Sequence, residues 1–319
     1  MTKVGAYALG LAAVFAGAAG VGNLVGPVDA TAKASAGGHG EMAAHGAPSS
    51  MGHAGSGQGG TGSEVPGGLQ ISQDGYTLVP RTTTVTPGHR TDFRFAVTGP
   101  DGRPVTRYTA LHGKKLHFIV ARRDLTGFQH LHPVEAGGGV WSVPLTLPAA
   151  GTYRVFTDIR PVGAPRQLTL GMDLTAPGDY RPTTPPQPER TAHVDGYTVR
   201  LAGDLAPGRT SKLTLSVSKA GRPVTDLQPY LQAYGHLVAL RAGDLAYLHV
   251  HPDGEPGDGT TRPGPDITFY AEVPSSGTYR LYLDFQHQGT VRTAAFTMVA
   301  GGDHTETTSP GHPTAPHGH

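Results

Sequence analysis

The stretch LPAAGTYRVFTD at residues 147–158 returns in closely related form as VPSSGTYRLYLD at residues 273–284. Each copy opens with Pro and small residues and continues into a run rich in aromatic and β-branched side chains. This order is typical of a turn followed by a β-strand. A match between distant segments indicates an internal duplication, which predicts two copies of one domain.

Further matches extend the two copies in both directions. GYTL at 75–78 returns as GYTV at 196–199, and GRPVT at 102–106 returns at 221–225, an offset of 119 residues. The offset has grown to 126 by the GTYR segments. The extra residues are predicted to lie in the Gly- and Pro-rich loop at 253–266, because loops accept insertions more readily than strands do.

The residue pattern of each copy predicts β-structure. DFRFAV at 92–97 and SKLTLSV at 211–217 alternate polar and apolar residues, the period of a strand with one buried face. The chain contains 47 Gly and 28 Pro, as expected for many short strands joined by turns. About seven strands per copy predict an all-β chain of two tandem β-sandwich domains, either immunoglobulin-like or cupredoxin-like. The pattern does not choose between these two topologies.

Composition changes divide the 319-residue chain into six segments. The Ala-, Gly- and His-rich stretches have too few large apolar side chains to form a core, which predicts flexible segments. The predicted segments are an N-terminal membrane helix or signal peptide (1–30), a His/Gly/Ala-rich tether (31–70), β-sandwich repeat 1 (71–176), a Pro-rich linker (177–192), β-sandwich repeat 2 (193–300) and a His-rich tail (301–319).

Residues 4–28 carry no charge and are long enough to cross a bilayer as a helix. They also fit a cleavable secretory signal with a cut near Ser35. Either alternative predicts an extracytoplasmic protein, membrane-anchored or secreted. A net charge of +1 with scattered Lys and Arg gives no sign of nucleic-acid binding. The absence of Cys excludes disulfides and thiolate metal sites.

Two windows repeat one spacing of histidines. HFIVARRDLTGFQHLHP occupies 117–133 and HLVALRAGDLAYLHVHP occupies 236–252. Folded as a hairpin that turns near Asp124, the first window places His117 opposite His130 or within one step of it. Opposed residues in antiparallel strands share a face, as do residues two apart in one strand. Each window therefore predicts a patch of three imidazoles.

Three neutral imidazoles favour copper or zinc. Copper is the first choice outside the cytoplasm and zinc the second. Met172 and Met298 are weaker candidates for an axial thioether, although Met commonly fills cores. Asp158 and Asp284 are weaker candidates for ligands, for acceptors that fix an imidazole tautomer, or for turn residues. His89 and His112 are predicted to be surface residues. The predicted ligands are His117, His130 and His132 in repeat 1 and His236, His249 and His251 in repeat 2.

The two windows, together with LTLPAAGTYRVFTD, resemble actinobacterial secreted or membrane-anchored tandem-repeat proteins of the heavy-metal-binding-like class. The resemblance covers roughly residues 70–300 and the N-terminal segment. It implies an extracytoplasmic setting and copper handling, and it implies no catalytic activity.

These observations predict an extracytoplasmic metal-binding protein, for copper before zinc, that acts in sequestration, resistance or transfer. Each domain would hold one three-imidazole cluster. The alternative is a non-catalytic cell-envelope scaffold or protein-interaction module with structural histidines, since a buried His is commonly hydrogen-bonded for structure alone. The chain has no Gly-x-Ser-x-Gly elbow, phosphate loop or His-Glu-x-x-His helix, so no enzymatic activity is predicted. The predicted partners are a metal ion, a membrane at the N-terminus and possible envelope proteins.

Overall fold

The computed structural model describes residues 65–248 and 250–301, where every helix or strand assigned is a β-strand. The predicted all-β tandem fold is confirmed. Repeat 1 contains β1 (Ser72–Gln73), β2 (Tyr76–Pro80), β3 (Thr91–Thr98), β4 (Leu116–Arg122), β5 (Gln129–Leu131), β6 (Val134–Glu135), β7 (Val140–Leu145), β8 (Gly151–Ile159) and β9 (Leu168–Ala176). Repeat 2 contains β10 (Thr191–Val194), β11 (Tyr197–Ala202), β12 (Thr210–Lys219), β13 (Arg222–Pro223), β14 (Gly235–Arg241), β15 (Tyr247–Leu248), β16 (Val250–Pro252), β17 (Asp266–Glu272), β18 (Gly277–His287) and β19 (Thr290–Ala300).

Each repeat is a sandwich of two antiparallel sheets. Repeat 1 has the strand orders β1-β2-β3-β7-β6 and β5-β4-β8-β9. Repeat 2 has the orders β10-β11-β12-β17-β16 and β15-β14-β18-β19, with β13 paired to β12. Each repeat has seven main strands, β2, β3, β4, β6, β7, β8 and β9 in repeat 1 and β11, β12, β14, β16, β17, β18 and β19 in repeat 2. In both repeats the first, second, fifth and fourth of these form one sheet, and the third, sixth and seventh form the other. This is the immunoglobulin order, which decides between the two predicted topologies.

A tyrosine hydrogen bond at the start of β8 and of β18 explains the repeated GTYR motif. The Tyr153 hydroxyl donates to the Ala149 carbonyl at 2.8 Å, and the Tyr279 hydroxyl donates to the Ser275 carbonyl at 2.8 Å. Both rings are fully buried. Such a tyrosine corner fixes the turn that leads into the sixth main strand of immunoglobulin-like domains.

One sheet of each repeat is buried on both faces. In repeat 1, Leu116, Phe118 and Val120 of β4 point into the sandwich core. The alternate residues His117, Ile119 and Ala121 are also buried, on the opposite face. The equivalent face of repeat 2 covers them, so four sheets are stacked in succession. A strand buried on both faces reads as a continuous apolar run, as HFIVA does.

The surface between the repeats has an approximate twofold symmetry. The Phe128 ring of repeat 1 stacks on Tyr282 of repeat 2, with centroids 3.9 Å apart. At the matching position Tyr247 of repeat 2 packs against Phe156 of repeat 1 at 5.7 Å. Apolar burial of this kind favours one fixed packing of the two domains. The buried cluster consists of Ile119, Ala121, Leu125, Phe156, Val238, Leu240, Leu245 and Tyr282.

Residues 65–70, the end of the predicted tether, pack against both repeats. The Arg154 guanidinium donates to the Gly68 carbonyl at 2.6 and 2.9 Å. The Tyr247 backbone N–H donates to the Gly67 carbonyl at 2.9 Å. The Gly171 N–H donates to the Gln70 carbonyl at 2.8 Å. This short segment therefore bridges β9 of repeat 1 and β15 of repeat 2.

The predicted N-terminal membrane segment, most of the tether, His249 and all but the first residue of the predicted tail lie outside the described residues. In the described part of the chain, no helix has the length and apolar character needed to span a bilayer.

Candidate metal centre

The hairpin of β4 and β5 brings the three histidines of repeat 1 to one face. Its register pairs Ile119 with His130 and Phe118 with Leu131. Continuing that register places His117 level with His132, whereas the sequence predicted His117 opposite His130 or within one step of it. The face is as predicted and the register differs. The Arg122–Leu125 turn, where the Leu125 N–H donates to the Arg122 carbonyl, would by itself pair His117 with His130, but residues 126–128 lie between this turn and β5 and displace the pairing by two residues.

The three imidazoles converge through ring nitrogens. His117 Nδ1 lies 3.1 Å from His130 Nε2 and 3.3 Å from His132 Nε2. One nitrogen from each ring lies within 4.8 Å of the other two. His117 is buried and the other two are half-buried. This group, His117, His130 and His132, is called the His triad below.

Hydrogen bonds to the outer nitrogens fix the tautomers of two triad rings. His117 Nε2–H donates to the Leu111 carbonyl at 2.9 Å, and a carbonyl can only accept. His130 Nδ1 lies 2.8 Å from Oδ2 of Asp284, which belongs to repeat 2. The other Asp284 oxygen accepts from the Thr293 hydroxyl at 2.6 Å. In neutral rings these bonds leave a lone pair on His117 Nδ1 and on His130 Nε2.

Burial keeps His117 and His132 in the neutral form, the form in which an imidazole can coordinate a metal. It lowers the pKa of His117 to about 3, with a further contribution from repulsion by His130. It likewise lowers the pKa of His132 to about 3. Loss of hydration disfavours the imidazolium because the surroundings cannot replace water around the charge. Both rings are therefore uncharged at neutral pH.

The first predicted ligand of repeat 2 lies beside the triad of repeat 1. The His236 ring centroid is 6.4 Å from that of His117 and 6.2 Å from that of His130. Its Nε2–H donates to the Tyr230 and Leu231 carbonyls, both at 3.0 Å. Burial lowers the pKa of His236 to about 4. His236 thus extends the cluster across the boundary between the repeats.

The described part of the second histidine window follows a different path from the first, and its predicted ligand His249 lies outside the described residues. In repeat 2 the chain leaves the β14–β15 hairpin after Leu248, and Val250 pairs with Ala271 in the opposite sheet. In repeat 1 the corresponding crossing comes only at Val134, which pairs with Ser142. His251 is consequently exposed on β16. Among the described residues the His triad is the one set of three His or acidic side chains close enough to share an ion.

The four weaker candidates are not members of the triad. Met172 and Met298 are buried in the sandwich cores of repeats 1 and 2, among apolar side chains. Asp158 is buried and accepts from Gln167 Nε2 at 2.7 and 2.8 Å and from the Thr169 hydroxyl at 3.2 Å. Burial raises the pKa of Asp158 to about 6. None of these side chains belongs to the triad, and only Asp284 touches one of its rings.

His112 is exposed, as the sequence predicted, but sequence reasoning missed that its ring contacts the histidine cluster. Its ring packs at 5.2 Å from His236 and 6.1 Å from His117, between centroids. His112 lines a cavity of about 60 Å³ together with both of those rings, His130 and Asp158. Its positive φ of 47° marks a tight turn, but no signal in the sequence indicates that this turn reaches the other repeat.

Three solved structures illustrate what the chain is similar to. The Escherichia coli adhesin FdeC is 15% identical with a TM-score of 0.23, over 72% of this chain and 65% of that one. The Yersinia pseudotuberculosis adhesin InvE is 13% identical with a TM-score of 0.21, over 72% and 60%. A Salmonella alpha-2-macroglobulin is 14% identical with a TM-score of 0.25, over 74% and 15%. The chain spans less than two thirds of each, and scores this low support no inference about it.

No protein with a curated description matches the chain. A family match covers residues 71–176 and 192–302, which are the two sandwiches together. The family is described as a domain of unknown function, DUF8832, and its two matched segments correspond to the internal duplication. The chain therefore belongs to the DUF8832 family, of which it carries two tandem copies.

Proposed function

We propose that this protein binds one transition-metal ion at the His triad and acts outside the cytoplasm in metal sequestration, resistance or transfer. The observation that supports the proposal is the convergence of three ring nitrogens whose outer N–H groups, in two of the rings, already have acceptors. The proposal concerns the cluster of repeat 1, since the predicted cluster of repeat 2 includes His249, which lies outside the described residues.

Repulsion between the lone pairs of two triad nitrogens favours a bound cation. In neutral rings, His117 Nδ1 and His130 Nε2 face each other at 3.1 Å with no proton between them. Two acceptors at this distance repel unless a cation lies between or beside them. A metal ion satisfies all three nitrogens at once, whereas a proton satisfies two.

The spacing also fits a metal. Metal–nitrogen bonds of about 2.0–2.1 Å in tetrahedral geometry place ligand nitrogens about 3.3–3.4 Å apart. The two measured separations are 3.1 and 3.3 Å. Three His ligands leave a fourth position for water or another donor, as in zinc sites that exchange a ligand.

The donor set favours copper first and zinc second. It contains imidazole alone, which suits both ions, and the chain has no thiolate to compete. The extracytoplasmic setting rests on the uncharged segment at 4–28, which fits a membrane helix or secretory signal.

A second candidate function is a non-catalytic envelope scaffold or protein-interaction module. The observation that favours it is the buried pair of His130 and Asp284, with side chains 5% and 4% exposed. A protonated His130 would pair with Asp284 and donate through Nε2 to His117, which satisfies the same geometry without metal. The apolar surface between the repeats would then hold a rigid tandem unit for a protein partner.

Thermal unfolding of metal-stripped protein with and without Zn²⁺ or Cu²⁺ tests the proposal. A metal that binds only the folded state raises the unfolding midpoint. At a free metal concentration of one hundred times Kd, it adds about 2.7 kcal/mol to the free energy of unfolding. The triple variant H117A/H130A/H132A should lose that rise. H89A, which removes an exposed histidine, should keep it. Ions that bind histidines outside residues 65–301 equally well in the folded and unfolded states leave the midpoint unchanged.

Equal midpoints with and without metal in the wild type would reject metal binding at the triad. If, in addition, the metal-free triple variant were less stable than the metal-free wild type, the result would favour a structural role of the triad and the scaffold function.

A further inference from the structure

The residue that orients one triad ring comes from the other repeat. All three triad histidines belong to repeat 1, yet the acceptor for His130 Nδ1–H is Asp284 on β18 of repeat 2. We propose that Asp284 is a positioning residue for the metal site and that the site is complete only when the two repeats are packed together. This inference rests on the proposed metal binding.

The position of Asp284 is rigidly defined. It lies in the middle of β18, paired with His236 on one side and with Thr293 on the other. Its side chain is 4% exposed, and each oxygen has one hydrogen-bond partner. A carboxylate held in this way fixes the His130 tautomer, turns Nε2 toward the other two rings and increases the basicity of the ring.

The equivalent residue of repeat 1 shows why Asp284 is available. Asp158 occupies the same place in β8, but Gln167 donates to both of its oxygens. Gln167 lies two residues before Thr169, the strand partner of Asp158. Two residues before Thr293, the strand partner of Asp284, the chain has Val291, which has no side-chain donor. One Asp284 oxygen therefore stays open to a donor from the opposite repeat.

Metal binding and packing of the repeats are then linked. Separation of the repeats would remove the acceptor from His130 and free its ring to change tautomer, which weakens the site. Linkage is reciprocal, so a bound ion stabilises the packed arrangement by the same factor. The ion would stabilise the packing of the two domains although all its protein ligands belong to one of them.

Zn²⁺ affinity measured by competition with a chelating dye tests the role of Asp284 in the full chain. D284N, which replaces the charged acceptor with a neutral amide, should bind about 10–100-fold more weakly than the wild type at unchanged triad stoichiometry, the loss typical when the partner behind a metal-bound His is mutated. D158N is the matched control. It removes a buried carboxylate from the same place in repeat 1 and from the wall of the same cavity. Its affinity should stay within about threefold of the wild type, because Asp158 accepts from Gln167 and Thr169 and not from a triad ring.

Hydrogen exchange on the wild type provides a readout that needs no variant. Saturating Zn²⁺ should slow exchange of the β18 amides around Asp284 by about tenfold or more, since an ion that binds only the packed state shifts the opening equilibrium. A metal site confined to repeat 1 would slow exchange in β4 and β5 and leave β18 unchanged.

The outcomes separate the two proposals. No Zn²⁺ binding by the wild type would reject the proposed function itself. Binding with equal affinity in the wild type and D284N, or equal losses in D284N and D158N, would reject the positioning role while metal binding stands. An unchanged β18 exchange rate would reject the linkage to repeat packing.

Discussion

Acidification should destabilise the metal-free protein through the histidines buried around the triad. Burial depresses the pKa of His117, His132 and His236, and all three groups stay neutral in the folded chain at mildly acidic pH. In the unfolded chain each titrates near its ordinary pKa of about 6.5. The unfolded state therefore binds more protons as the pH falls below about 6.5, and the free energy of unfolding falls with it.

The size of the loss follows from those protonation equilibria. Between about pH 7 and about pH 5.5, a histidine that stays neutral when folded costs about 1.3 kcal/mol, so three cost nearly 4 kcal/mol. Asp158 opposes them, because its folded pKa of about 6 lies above its ordinary value and the folded state gains a proton in this range. That gain offsets about 0.8 kcal/mol and leaves a net loss of about 3 kcal/mol.

Urea unfolding at the two pH values, with a chelator present, measures the loss directly. Trp141 is the single tryptophan of the chain and is buried in the core of repeat 1, so its fluorescence reports unfolding. H236Q should reduce the pH dependence by about 1.3 kcal/mol, and H89Q, at an exposed site, should leave it unchanged. A wild-type loss below about 1 kcal/mol would refute the conclusion that these rings are neutral and buried.

Three other substitutions give separate tests by urea unfolding. Y279F removes the tyrosine-corner hydrogen bond and should cost about 1 kcal/mol with no change in metal affinity. G171A places a Cβ atom 2.0 Å from the Gly68 carbonyl oxygen, so it should displace residues 65–70, expose them to proteolysis and lower stability by about 1–3 kcal/mol. M172L, a core swap of similar volume, should cost less than about 1.5 kcal/mol and leave metal affinity intact. A loss of affinity in M172L would instead support the thioether ligand predicted from the sequence.

Much of the fold is readable from local patterns. The alternation at 92–97 predicts a strand with one buried face, and β3 (Thr91–Thr98) contains it. The choice of sandwich topology depends on which strands become neighbours, and that order is set by contacts between residues far apart in the chain. Even so, the GTYR motif favours the immunoglobulin-like topology, since a Tyr two residues into a strand after a small-residue turn fits a tyrosine corner.

For the candidate site, the sequence pattern predicts which side chains share a face only within the β4–β5 hairpin. Because strand periodicity is two, the spacing of His130 and His132 predicts a shared face whatever the register. It contains no information about Asp284, which reaches His130 from a different domain 154 residues away. The apolar runs around His117 and His236 are a signal of a second buried face, which the sequence analysis did not use to predict packing between the repeats.

Duplication followed by small local changes accounts for the differences between the described parts of the two histidine windows. Face-to-face packing of equivalent sheets brings both His windows to the same boundary, so the copies contribute to one cluster. Two differences then assign unlike roles. Repeat 2 crosses to the opposite sheet at Val250, so His251 lies on β16 at the wall of the shared cavity, while repeat 1 keeps His132 beside His117. Repeat 2 also has Val291 where repeat 1 has Gln167, which leaves Asp284 open to accept from His130. A strand crossing and the absence of a side-chain donor at Val291 thus place the His triad in one copy and the acceptor for His130 in the other.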